Sequence, residues 1–193
     1  MSDKTYRNVM LDLETMGNGP NAAIVAIGAV AFDIEAGDLG PSYYNRVDLA
    51  SSVACGGVMD ASTVMWWMNQ GDDARHEIAR EGGMHIATAL QSFADWMAEC
   101  APDPAVWGNG ASFDNVILRS AYTRNGTDAP WKWWKDRCYR TVKDMHRDVP
   151  MERLGTHHNA MADAISQALH LIAMLNPAKR AEALQATPDR ALL

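Results

Sequence analysis

The sequence predicts an α/β fold built on a mixed β-sheet whose first three strands run antiparallel, with α-helices on its flanks. Three observations carry this. Three β-type segments follow one another within the first 50 residues. Helix-period segments then dominate, interrupted by one short apolar strand at 104–108. The last third holds a long amphipathic helix over Ala160 to Leu175, closed by Pro177.

Taken in order, Asn8 to Thr15 alternates as a strand does, with Val9, Leu11 and Leu13 on one face and Met10, Asp12 and Glu14 on the other. GNGPNAA forms a turn, and IVAIGAVAFD over 24–33 is rich in β-branched residues and reads as a buried strand. Glu35 to Gly40 is a hairpin-like connection to a third strand, PSYYNRVDL over 41–49. Consecutive strands joined by short turns pair antiparallel. Asp60 to Gln70 reads as a helix with Asp60 as N-cap. Asp72 to Glu81 and His85 to Cys100 are further helices, the second with Ile86, Leu90, Phe93 and Met97 at helical spacing.

After the strand at 104–108, Ser112 is placed to cap a helix through about Arg124, with Phe113, Val116, Ile117 and Ala121 as its apolar stripe. Pro130 interrupts the chain, and a basic, polar helix follows over Tyr139 to Arg147. In the last long helix Met161, Ile165, Leu169 and Ile172 are expected inward, and the tail over 176–193 is expected to form one more helix. No repeat or long linker divides the 193 residues, so one domain over 1–193, with its core at about 8–175, is expected.

Composition narrows the class. At 48% hydrophobic and 21% charged residues, the chain reads as an ordinary globular protein. No apolar run reaches the ~18 residues needed to cross a bilayer, and the N-terminus lacks a signal-peptide core. Cys55, Cys100 and Cys138 are widely spaced without a CxxC pair, which fits reduced thiols in a cytoplasmic protein better than a disulfide frame or zinc site. The net charge of −7 argues against a general polyanion binder. Within it, however, WKWWKDRCYRTVKDMHR over 131–147 carries six Lys/Arg against two Asp, a local +4 that leaves −11 on the remainder. A basic, aromatic strip on an acidic body fits a protein that holds a short piece of nucleic acid near one opening.

Four carboxylates and a histidine carry the chemistry. Asp12 and Glu14, two apart on one strand, share a face, and paired acids in an apolar strand are expensive to bury without a partner. A divalent cation bound by oxygen ligands, Mg²⁺ or Mn²⁺, resolves that conflict; a solvated strand end is the alternative. Asp114 follows the turn-forming Asn109-Gly110 at the start of a helix, where the helix dipole alone also favours an acid. In THHNAMADA, His158 and Asp163 are five residues apart, about 140° around a helix, so they cannot both face one site from one helix. His158 is therefore expected on the loop before the helix, with Asp163 in its second turn; His157 is the weaker candidate.

Three motifs in order give a resemblance. Asp12-Leu13-Glu14-Thr15 matches DxExT, Asn109 through Phe113-Asp114 matches a second acidic motif, and His158-Asn159-Ala160-Met161-Ala162-Asp163-Ala164 matches HxAxxDA. The chain thereby resembles the DnaQ-like (DEDD) 3′→5′ exonuclease superfamily, in its histidine subclass, across residues 8 to about 175. DASTVMWWMNQGDDAR further resembles small stand-alone exoribonucleases of mycobacteria and related phage proteins. The chain's ending after one such domain adds the expectation that no polymerase or helicase is fused to it.

The resemblance implies a ribonuclease-H-like sheet and two divalent cations, Mg²⁺ or Mn²⁺. It implies that Asp12, Glu14, Asp114 and Asp163 hold them, that His158 takes a proton from water, and that nucleoside 5′-monophosphates leave from an RNA, or DNA, 3′ end. Thr15 and Met16 are the implied contacts to the terminal nucleotide, and Asn109 and Phe113 are further expected substrate contacts. A ribonuclease-H-like endonuclease and a non-catalytic nucleic-acid-binding module are the alternatives. The tryptophan-rich segment around Trp66 and Trp67 raises the expectation of a homodimer.

Overall fold

The structure, a computed structural model, describes residues 4–155 and 158–185. A five-stranded sheet with strand order β3-β2-β1-β4-β5 forms its centre. β1 (Asn8–Thr15), β2 (Ile24–Asp33) and β3 (Asp38–Arg46) run antiparallel, while β4 (Ala105–Gly108) and β5 (Asp136–Cys138) continue the sheet parallel to β1. The mixed sheet with an antiparallel start is as the sequence predicts. β3 begins three residues earlier than expected, because the turn is tighter: Gly37, with φ +73°, lets Asp33 pair directly with Asp38.

The chain then makes a helix that local pattern did not reveal, α1 (Leu49–Ala54), whose first turn is capped by Asp48 accepting from the Ser51 N–H. α2 (Ala61–Met68), α3 (Asp72–Ala79) and α4 (Ile86–Cys100) follow. Asp60 is at the N-cap of α2 as expected, but its carboxylate takes the Ser62 hydroxyl and the Asn18 N–H instead of a helix N–H.

The two faces of the sheet bury different residues. Val9, Leu11 and Leu13 of β1 pack with Ile27, Leu90, Phe93, Met97, Ile117 and Leu118 beneath α4 and α5 (Asp114–Arg124). Met10 turns the other way and packs with Phe32, Tyr139, Ala164, Ala168 and Leu171 beneath α6 (Tyr139–Met145) and α7 (Ala160–Leu175). A third cluster, Met16, Val25, Trp67 and Ala74, lies under α2 and α3.

Two predicted helix faces are corrected. Phe113, not Ser112, is the N-cap of α5, and the buried stripe is Ile117, Leu118, Ala121 and Tyr122, with Phe113 and Val116 only half-buried. On α7 the face against the sheet is Ala160, Ala164, Ala168 and Leu171, whereas Met161 and Ile165 are half-buried and Leu169 is exposed. The reason is a close approach. A Cβ on Gly28 of β2 would fall on the backbone of Ala160 and Met161, so only small residues fit where α7 meets the sheet. Asn176 ends α7, and Pro177 opens α8 (Pro177–Gln185), a first-turn position that suits its missing N–H. The tail beyond 185 and His157 lie outside the described residues. Among the described residues, no helix is long and apolar enough to cross a membrane.

Gly28→Ala should therefore push α7 off the sheet, lowering unfolding stability by about 1–3 kcal/mol in chemical denaturation. The same substitution at the open Gly19, where a Cβ meets nothing within 4 Å, should change stability far less.

Candidate active site

The site is built where β1 leaves the sheet. Asp12 and Glu14 follow Met10 on the α7 side, as the alternation predicts. Asp12 pairs across the ladder with Gly28, and the register slips between Glu14 and Thr15. Such an irregularity re-aims side chains at the end of a strand. The β1–β4 pairing stops at Leu11 and Gly108. Beyond that point the backbone N–H of Leu13 needs an acceptor, and Asp114 Oδ1 supplies it at 3.1 Å. Asp114 comes this close because Gly108 has no side chain; a Cβ there would meet Asn115 Oδ1 and lie 3.0 Å from Asp114 Cβ.

The other wall comes from the start of α7. Asn159 is its N-cap, with a side chain that accepts from the Ala162 N–H at 3.1 Å. His158 lies off the helix as the spacing predicts, with φ 63°, a left-handed conformation uncommon for a residue with a side chain. Its backbone N–H donates to Asp163 Oδ2 at 3.0 Å, which ties loop to helix. Asp163 falls in the first turn of α7 instead of the expected second. The imidazole stands edge-on to Trp66 and Trp67, with ring centroids 4.9 and 6.0 Å away. Glu14, His158 and Asp163 bring ligand atoms within 4.8 Å of one another.

Burial and like charge raise the proton affinity of this cluster. Asp12 is pushed well above the usual carboxylate range, first by burial and then by the charges of Asp114, Glu14 and Asp163. Glu14 is pushed from 4.5 up to about 8 by burial and by Asp163 and Asp114. Burial raises Asp114 from 3.8 to about 7 against the pull of backbone N–H groups and Arg140. An all-oxygen set of this kind, with one imidazole beside it, fits a hard divalent cation in its donor chemistry.

A cavity of about 290 Å³ opens on these groups, lined by Asp12, Glu14, Asp114, His158 and Asp163. Thr15, Asn109 and Phe113 also line it. Met16 does not: its side chain is buried in the α2/α3 cluster, its N–H donates to Ala23, and its carbonyl accepts from Asp60. The expected Met16 contact is thus placed in the core, because the β1 irregularity turns the chain away after Thr15. The tryptophan pair divides: Trp67 is buried and donates to the Thr15 carbonyl at 2.9 Å, whereas Trp66 is exposed along the cavity wall. The basic strip divides as well. Asp136 collects Asn115, Arg119 and Trp131, which anchors β5, while Arg140 and Lys143 reach the cavity.

Among the cavity residues that the sequence does not announce, Gln167, Arg153 and Tyr139 make hydrogen bonds at the site. Gln167 donates from Nε2 to Asp12 Oδ1 at 2.7 Å, and its spacing of four from Asp163 is the signal that could have revealed it. Arg153 reaches Asp163 Oδ1 at 3.2 Å from a segment without regular structure, and Tyr139 lies at the start of a helix read only as basic. Tyr139 is fixed through the His170 ring, whose Nε2–H donates to the Val149 carbonyl at 2.9 Å while Nδ1 accepts from the Tyr139 hydroxyl at 2.7 Å.

Residues 7–175 match the family described as the 3′-5′ exoribonuclease Rv2179c-like domain. The chain belongs to this family. A relative from Enterobacteria phage T4, named exodeoxyribonuclease, is 30% identical over 156 residues, 68% of each protein. Among solved structures, exonuclease I in its apo form superposes with a TM-score of 0.64 at 17% identity over 95% of this chain. E. coli exonuclease I in complex with a dA16 oligonucleotide gives 0.61 at 16% identity over 94%. The chain spans less than half of those proteins, 44% and 43%. A full-length 3′-exonuclease superposes with 0.53 at 12% identity, over 89% of this chain and 83% of that one. The family and the fold are those of 3′-5′ exonucleases with a ribonuclease-H-like sheet.

For this exonuclease domain the raised carboxylates set a pH dependence. Glu14 and Asp114 hold protons more tightly folded than unfolded, so the cation-free protein loses stability as pH rises from about 4 to about 8. Thermal melts in EDTA should show the midpoint falling across that window. Added Mg²⁺ or Mn²⁺ should raise it more at pH 8 than at pH 5.5; equal shifts at both values would count against these assignments.

Proposed function

We propose that this chain is a metal-dependent 3′→5′ exonuclease that shortens RNA from its 3′ end and releases nucleoside 5′-monophosphates. The observation that carries it is the meeting of Glu14, His158 and Asp163 within 4.8 Å, in one cavity with Asp12 and Asp114. Asp12, Glu14, Asp114 and Asp163 would hold two divalent cations, which supply charge neutralisation at the scissile phosphate and a more acidic water.

The remaining steps belong to the chain's own side chains. His158 is the general base: its backbone is held by Asp163 and its ring is walled by Trp66 and Trp67, so the imidazole faces the cluster with restricted freedom. Arg140, Lys143 and Arg153 line the cavity and bring positive charge to the phosphates. Trp66 offers an exposed ring on which a base can stack, a contact typically of about 1–3 kcal/mol. Thr15, Asn109 and Phe113 wall the terminal nucleotide. The family description favours RNA; the phage relative's name keeps DNA as the second reading.

A time course on 5′-labelled RNA and DNA of one sequence, with Mg²⁺ or Mn²⁺, tests this. It should show stepwise loss from the 3′ end, faster on RNA, and a closed circle should survive. His158→Ala and Asp163→Ala should each lower kcat about 100-fold or more while the protein stays folded; unchanged rates would remove these residues from the mechanism. Arg140→Gln and Lys143→Gln should weaken binding of single strands and flatten its salt dependence, each lowering the slope of log K against log salt by about 0.7.

A further inference from the structure

The face that α7 turns to the sheet is built from Ala160, Ala164, Ala168 and Leu171, all fully buried. Gln167 interrupts it. The residue is 4% exposed, and its two polar atoms are treated differently. Nε2 donates to Asp12 Oδ1 at 2.7 Å, whereas Oε1 is buried with no hydrogen-bond partner among the described residues. An unpaired buried carbonyl carries its full desolvation penalty. A methionine of the same length would avoid that penalty and pack on the same neighbours. Packing therefore does not explain this glutamine, and its donor end does.

Asp12 sits among the charges of Glu14, Asp114 and Asp163. A lysine or arginine at 167 would neutralise Asp12 and compete with any cation for it. An uncharged amide donor holds one carboxylate oxygen in place and leaves the negative charge available. Gln167 also lies one turn beyond Asp163 on the same helix face, so a single rigid element presents both an acid and the donor that orients its neighbour.

We propose that Gln167 is a positioning residue for Asp12, whose amide donor fixes one carboxylate oxygen and leaves the other available to a divalent cation. This rests on the reading of Asp12 as a cation ligand. Groups that orient ligands in this way typically change metal affinity about 10–100-fold when removed.

The test is Gln167→Met, measured three ways on the full chain. Its melting midpoint in EDTA should stay close to that of the unsubstituted protein, since the change removes one unpaired buried oxygen, Gln167 Oε1, and unpairs another, Asp12 Oδ1. Calorimetric titration with Mn²⁺, without nucleic acid, should show affinity about 10-fold or more weaker. The kcat on a short oligonucleotide at fixed Mn²⁺ should fall, with KM for the oligonucleotide nearly unchanged. A protein that fails to fold, or melts lower with unchanged Mn²⁺ affinity, would assign Gln167 a purely structural role and overturn the proposal. If the unsubstituted protein itself takes up no Mn²⁺, the reading of the site falls and takes this proposal with it.

Discussion

The architecture depends on two places where a helix start touches the sheet more closely than a side chain would allow. Gly28 on β2 and Gly108 on β4 lie on the strands either side of β1. The first admits the backbone of Ala160 and Met161 at the start of α7; the second admits Asp114 and Asn115 at the start of α5. Both helix starts therefore converge on the end of β1, and the acids they carry meet Asp12 and Glu14. The close approaches come first in the causal order, because without them Asp114 and Asp163 would lie away from Asp12 and Glu14.

Bringing them together is unfavourable, and the size of the imbalance explains what the site requires. Helix N-termini stabilise a nearby carboxylate by about 0.3–1 kcal/mol. Two unit charges 4.8 Å apart, the limit for Glu14 and Asp163, repel by about 3.5 kcal/mol at an effective dielectric of about 20. Backbone donors to Asp114, the Gln167 amide on Asp12 and the Arg153 contact on Asp163 relieve part of this, one oxygen at a time. The balance is met by protons at low pH or by cations, which is why the raised proton affinity of Glu14 and the fit to a divalent ion are one property seen from two sides.

Much of this was legible in the sequence, and the rest was hidden for identifiable reasons. β1, β2 and α7 begin and end where periodicity and punctuation place them. The inner face of α7 was misjudged because hydrophobic pattern rewards bulk: Met161, Ile165 and Leu169 looked like the core, whereas the glycine across the interface demands alanines. β5 is three residues long and exists through β4 and the hydrogen bonds that gather on Asp136, of which those from Asn115 and Arg119 and the pairing with β4 come from distant sequence. Within the site, the acids and His158 announce themselves through motif spacing. Arg153 does not, since it acts from irregular chain, and Gln167 is visible only once the helix is phased on Asp163. Met16 lies under α2 and α3 and does not line the cavity because the β1 irregularity, which no residue-type rule foretells, turns the chain after Thr15.

The same geometry addresses how an acidic chain can hold a polyanion. When fully ionised, the carboxylates contribute four negative charges to a cavity whose other lining includes Arg140, Lys143 and Arg153. With two divalent cations in place, those four charges are neutralised and the formal net charge moves from −7 to −3. The local change matters more than the global one: Arg140, Lys143 and Arg153, all exposed, would then face a cavity floor that no longer opposes them, an attraction that salt screens. Under the proposed mechanism, phosphate attraction at this opening would be conditional on the cations, which would link nucleic-acid binding to metal binding through one field. Lys143 and Arg140, on α6, line the cavity, whereas Asp136 of β5 gathers the hydrogen bonds that hold the strand. A basic strip that looks uniform in sequence is thus divided at a three-residue strand: Asp136 holds the sheet edge, and the cations of the helix that follows line the cavity.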